Sequence, residues 1–101
     1  MIWHVATFRL VDPSKAQEAA DLLSRLKDIV PGIVEYRVGI DFAKAPNSAA
    51  VCLVSKFENR EAFDAYMNHP VHPDEVAPDL GELVDYEVLE RMASTDFETP
   101  D

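Results

Sequence analysis

The chain has 101 residues, of which 19 are acidic and nine basic, giving a net charge of −10 and a pI near 4.5. That length fits a single domain with a modest core. A surface this acidic repels phosphate backbones and anionic lipid, so neither nucleic acid nor a membrane surface is expected as a partner.

Cys52 is the single cysteine, which rules out a disulfide within one chain and points to a reducing compartment. Met1-Ile2-Trp3-His4 carries no secretory pattern, and no apolar run reaches the length of about 18 residues that crosses a bilayer. A cytoplasmic location is the expectation.

From Ile2 to Leu10 the residues alternate, with Ile2, His4, Ala6, Phe8 and Leu10 on one face and Trp3, Val5, Thr7 and Arg9 on the other, which predicts a strand. Both faces are largely apolar, so the second is expected to pack against something as well. Asp12-Pro13 is a helix start, an N-cap oxygen followed by proline at the first helical position. Ala16, Ala19, Ala20, Leu23, Leu26 and Ile29 follow at helical spacing, and Pro31-Gly32 ends the helix.

Ile33 to Ile40 alternates again, placing Val34, Tyr36, Val38 and Ile40 opposite Ile33, Glu35, Arg37 and Gly39. After a loop containing Pro46 and Asn47, the apolar run Ala49 to Phe57 reads as a strand central in the sheet. Asn59 caps a second helix that buries Ala62, Phe63, Tyr66 and Met67, and Pro70 stops it. His72 to Leu83, with Pro73, Pro78 and Gly81, reads as a broken helical segment, and Val84 to Arg91 as the last strand. The domain is thus expected over residues 1–92, with 93–101 an acidic tail of a composition compatible with disorder.

The order β-α-β-β-α-β predicts an α+β, ferredoxin-like fold with a four-stranded antiparallel sheet. Two helices cover one face of such a sheet. The apolar residues on the other face are best buried by a second copy, so a homodimer in which two sheets meet face to face is expected.

Chemistry concentrates in Tyr66-Met67-Asn68-His69-Pro70-Val71-His72-Pro73, which holds a phenol and two of the three histidines. A neutral imidazole at His72 can take a proton from a carbon next to a carbonyl, while the Tyr66 phenol donates to the enolate oxygen. Other readings stand beside this one. Tyr66 sits at core spacing, His69 suits the end of a helix, and His4 lies on an apolar face where a core hydrogen bond satisfies a histidine. Zinc held by His4, His69 and His72 is disfavoured, because Pro70 and Pro73 break the helix that would align the rings. Glycine-rich phosphate loops, serine elbows and Cys-x-x-Cys pairs are all missing from the sequence, and no cofactor is expected.

Several pieces together resemble the stress-responsive α/β-barrel (Dabb) family: Ile2-Trp3-His4-Val5 with Phe8, Ile29-Val30-Pro31-Gly32-Ile33, and Phe57-Glu58-Asn59-Arg60-Glu61-Ala62-Phe63 running into Tyr66 and His69-Pro70-Val71-His72. The resemblance implies a dimeric barrel. By likeness to a plant polyketide cyclase of that family, it also implies His72 as general base, Tyr66 as its phenol partner, and His4 near the same pocket. His4, Phe8 and Leu53 are then expected to line a cavity for a small, largely apolar carbonyl compound. Ala20 and Leu23 stand where that cyclase carries aromatic residues, so a pocket for the same long substrate is not expected. Two further expectations remain on the same fold: a cofactor-independent monooxygenase, and a binding dimer without catalysis.

Overall fold

Ile2, His4, Ala6 and Phe8 are buried while Trp3, Val5 and Thr7 are half-buried, the two-residue period of a strand covered on one side. The computed structural model describes residues 1–46, 48–69 and 92–101. Over these the elements run β1 (Ile2–Phe8), α1 (Ala16–Ser24), β2 (Ile33–Ile40), β3 (Val51–Phe57), α2 (Arg60–Met67) and β4 (Met92–Glu98). The sheet order is β2-β3-β1-β4 with every neighbouring pair antiparallel, which is the ferredoxin-like βαββαβ arrangement. As its apolar run predicts, β3 lies inside the sheet.

Asp12 begins the first helical stretch, its carboxylate accepting from the Ser14 amide at 3.0 Å. Pro13–Lys15 form a 3-10 turn before α1, and α1 ends at Ser24, earlier than the apolar spacing suggests. Ser24 returns its hydroxyl to the Ala20 carbonyl at 2.8 Å, a bond that competes with helix propagation, and two 3-10-type bonds, Leu26 N to Leu23 O and Lys27 N to Ser24 O, tighten the chain beyond it. Leu26 is still 1% exposed. Tertiary packing therefore continues along the periodic stripe after the helix has stopped.

Gly32 is needed where it stands. Its φ of +92° lies in the left-handed region, and a methyl group placed there would come within 2.7 Å of Ala62 Cβ on α2. Asn59 caps α2 by accepting from the Ala62 amide at 2.9 Å. The helix ends at Met67, and Pro70 lies outside the described residues.

The alternation expected for β2 fails at its first two residues. Ile33 packs inward, Val34 is 45% exposed, and the register with β3 shifts between Ile33 and Glu35. One inserted residue exchanges the faces of what precedes it. From Tyr36 onward the reading holds, with Tyr36 and Val38 packed on the core and Arg37 and Gly39 exposed.

The C-terminal residues correct the sequence reading. Residues 93–98, expected in a tail of a composition compatible with disorder, belong with Met92 to β4, which pairs with β1 from Phe8↔Met92 to Ile2↔Glu98. The boundary drawn at residue 92 therefore falls at the start of a strand. The reason is physical. Residues 93–98 are exposed in this edge position, so they show no buried apolar period, and backbone pairing holds them instead. The Met1 ammonium donates to the Thr99 carbonyl at 2.8 Å, and Trp3 Nε1 donates to Thr99 Oγ1 at 2.9 Å. The segments His72 to Leu83 and Val84 to Arg91, read as broken helix and last strand, lie outside the described residues.

Two core clusters fill the space between helices and sheet. One gathers Ala6, Phe8, Ala19, Leu23, Val51 and Leu53 under α1; the other gathers Ile2, Leu22, Leu26, Phe57, Ala62 and Tyr66 nearer α2. Burying each of the larger side chains contributes about 1.5–3 kcal/mol. On the opposite sheet face, Val5 is paired with Val54 and Thr7 with Cys52, and among the described residues no helix covers them. Among the described residues no helix is long and apolar enough to cross a membrane.

Candidate functional site

His4 is 5% exposed, and its ring nitrogen Nδ1 lies 2.5 Å from Asp96 Oδ1 on the neighbouring strand. The register makes this pairing: His4 and Asp96 are direct partners in the β1–β4 ladder, so both side chains rise on the helix side of the sheet. A carboxylate at Asp96 accepts, so Nδ1 of His4 carries the proton of this bond and Nε2 is the nitrogen left facing away from it.

Two aromatic rings adjoin this imidazole, and a third packs against both of them. Its centroid is 6.2 Å from that of Tyr66 and 6.1 Å from that of Phe63, and Phe57 lies 5.2 Å from Tyr66 and 5.6 Å from Phe63. Helix α2 supplies both Tyr66 and Phe63 because they are three residues apart and so share a face. Ser55, fully buried on β3, donates to the His4 carbonyl at 3.2 Å. No buried side-chain nitrogen or oxygen lacks a partner among the described residues.

A second phenol adjoins the first. Tyr36 Oη donates to the Leu23 carbonyl at 2.6 Å and lies 3.4 Å from Tyr66 Oη. With the Tyr36 proton committed to Leu23, its oxygen is the acceptor side of that longer contact. Burial pushes both phenols above their ordinary value, Tyr36 further, with the nearby Tyr66 adding to its shift. At neutral pH both remain protonated.

The structure thus brings together two of the residues singled out from the sequence, His4 and Tyr66. Phe8 and Leu53, expected beside a cavity, are 3% and 2% exposed and packed against Ala6, Ala19 and Leu23. His72 lies outside the described residues. Sequence reasoning missed Asp96 and Tyr36. Asp96 falls within the 93–101 stretch expected as an acidic tail, and the signal that finds it is the register of a strand that carries no apolar period. Tyr36 enters the sequence reading only as one of the alternating set Val34, Tyr36, Val38 and Ile40, with no partner in view.

The model of the stress-responsive A/B barrel domain matches residues 2–99 of this sequence. The chain belongs to this family. The Dabb match includes β4 and so spans the boundary drawn near residue 92. No curated protein matches the chain. Among solved structures, a dimeric ferredoxin-like protein of unknown function from Thermobifida fusca is 25% identical, with 97% of this chain and 90% of that one covered at a TM-score of 0.73. A Dabb family protein from Mesorhizobium loti is 14% identical, with 99% and 97% covered and a TM-score of 0.68. SnoaB, a cofactor-independent oxygenase from Streptomyces nogalater, is 15% identical over 99% of this chain and 93% of that one, with a TM-score of 0.71. The last two likenesses concern the fold of this Dabb chain alone.

Proposed function

We propose that this Dabb protein is a homodimer, joined through the open face of its sheet, that binds a small apolar carbonyl compound beside Tyr66 and moves a proton on it without a cofactor. The observation that carries this reading is the buried His4–Asp96 pair, set among aromatic rings within reach of Tyr66. A charged partner that fixes an imidazole tautomer in an apolar interior is an arrangement suited to proton handling. His4 Nε2 accepts a hydrogen bond from the ligand, Tyr66 turns its one proton from the long contact with Tyr36 Oη to the ligand's carbonyl oxygen, and His72 serves as the base. The role of His72 rests on the resemblance to the plant polyketide cyclase, in which a tyrosine and a His-Pro-x-His stand at the spacing of Tyr66, His69 and His72. The dimer is supported by relatives of the same fold described as dimeric.

Deuterium uptake at the carbon between two carbonyls of simple β-diketones, followed by proton NMR in D2O, tests this reading. The wild-type dimer should accelerate exchange, and His72→Ala should slow it by about 10²–10⁴, the range of general-base catalysis, with the melting temperature nearly unchanged. Absence of acceleration by the wild type, with the dimer intact, overturns catalysis and leaves a binding dimer. The likeness to an oxygenase favours one more measurement: oxygen uptake with quinol substrates, which a cyclase or isomerase does not show.

A further inference from the structure

At the far end of β1 from His4, a cavity opens. Five residues of extended chain separate His4 from Arg9, about 17 Å. There the ends of β1 and β2, the turn before α1 and the β2–β3 connection surround an open space of about 780 Å³. Cavities of about 300–1,000 Å³ hold small organic ligands.

Its polar groups can be accounted for one by one. Ser14 Oγ donates to Asp12 at 2.7 Å, and Gln17 donates to Asp21 at 2.9 Å. Asp41 accepts from the Lys44 amide at 2.7 Å, and Ser48 Oγ accepts from the Ala45 amide at 3.2 Å. What remains is the charge on Arg9 and on Lys44, neither of which has a carboxylate within ion-pair distance among the described residues. Lys44 is exposed and could be satisfied by water. Arg9 is half-buried. The other half-buried basic side chain among the described residues, Lys56, lies 4.9 Å from the centre of the Trp3 ring, whereas Arg9 has neither an anion nor a ring.

The rest of the wall is apolar and wet. Val11 is 67% and Ile40 44% exposed, and both line the cavity with buried Leu10 beneath them. A patch of exposed apolar side chains beside an unmatched guanidinium is complementary to an amphipathic anion. The charge count refines the class. Arg9 and Lys44 against Asp41 leave one net positive charge, which neutralises a monoanion but not a dianion such as a phosphate ester. We infer that this cavity binds a small amphipathic monocarboxylate, its carboxylate gripped by the Arg9 fork with Lys44 alongside and its apolar body over Leu10, Val11 and Ile40. This site is independent of the one at His4 and Tyr66.

The test is a titration of the full-length, isotopically labelled protein, followed by amide chemical shifts, with octanoate, octan-1-ol and inorganic phosphate as probes. Octanoate should shift the amides of Leu10, Ile40 and Ala50 saturably, and octan-1-ol and phosphate should each bind at least about tenfold more weakly. Arg9→Gln should weaken octanoate by about tenfold, and Arg9→Lys, which keeps the charge but loses the planar fork, should fall between. Should Arg9→Gln fail to fold, Lys44→Gln and the comparison of octanoate with octan-1-ol on the wild type decide the matter. The inference is overturned by the absence of saturable shifts, by equal affinity for the alcohol, by unchanged affinity in a folded Arg9→Gln variant, or by shifts confined to His4 and Tyr66.

Discussion

His4 on β1 and Asp96 on β4 are joined side chain to side chain at 2.5 Å directly across the ladder, tying the last strand of the sheet to the first. Asp96 is the more accessible partner, with 44% of its side chain exposed, so solvent moderates the strength of the pair. Replacing it with alanine should cost about 1 kcal/mol in urea unfolding, near the usual value for one hydrogen bond. His4→Ala should cost more, because it also empties space beneath Phe63 and Tyr66. The double variant should fall short of the sum of the two. Strict additivity would show that the pair contributes no coupling.

Gly32→Ala should be among the most damaging single-methyl changes in this chain. Two separate costs apply: the left-handed φ of +92°, and the 2.7 Å approach to Ala62 Cβ. The first is about 1 kcal/mol and the second can exceed it, because α2 must shift on the sheet to relieve the clash. Gly32→Ala combined with Ala62→Gly removes the clash but not the backbone strain, so part of the loss should return, less the cost of a glycine inside α2. Thermal melts of the three variants separate the two causes; no recovery in the double variant would assign the whole effect to φ.

Tyr36 and Tyr66 make stability fall with alkalinity. Below about pH 10 a phenol is protonated in the folded and the unfolded chain alike, and contributes no pH dependence. Above it the unfolded chain loses phenolic protons while burial keeps Tyr36 and Tyr66 neutral, so the folded state holds more protons and stability declines as pH rises toward their raised values. Tyr36→Phe should lower stability at neutral pH by about 1 kcal/mol through loss of the bond to the Leu23 carbonyl. It should also flatten the decline between pH 10 and 11, measured by urea midpoints across that range. An unchanged slope would mean that the Tyr36 phenol is not held neutral by the fold.

What the sequence made legible follows what burial writes into it. β1, β3 and the capped start of α2 are plain from Ile2, Ala6 and Phe8, from Val51, Leu53 and Phe57, and from Asn59, because each carries either an apolar period or a cap with a distinct side chain. The bulge at Ile33 and Glu35 leaves no such mark, since a change of register alters faces without altering composition. β4 was illegible for the opposite reason: as an edge strand of exposed residues it is held by backbone pairing and by a few side chains such as Asp96 and Thr99. The candidate site inherited that blindness. His4 and Tyr66 stand out as residue types, whereas Asp96 becomes meaningful only once the strand that carries it is placed opposite His4.

The open sheet face should be the dimer contact, and Val5 and Val54 are the residues to test it. They are register partners near the middle of the face, both half-buried and turned away from the helices. Two such faces pack about 10 Å apart, a spacing that leaves no room for hydrated charge at the centre. Val54→Lys, and separately Val5→Lys, should therefore halve the mass measured by light scattering, because a buried ammonium facing its symmetry mate is unpaired. The sheet of one protomer should persist in circular dichroism, since the helix-side core of Phe8, Leu53 and Phe57 is untouched. Trp3, stacked on Phe97 and carrying Lys56 over its ring, reports the same event optically: its emission should shift to longer wavelength as the face becomes wet. A wild-type mass in both variants would place the dimer contact on another surface.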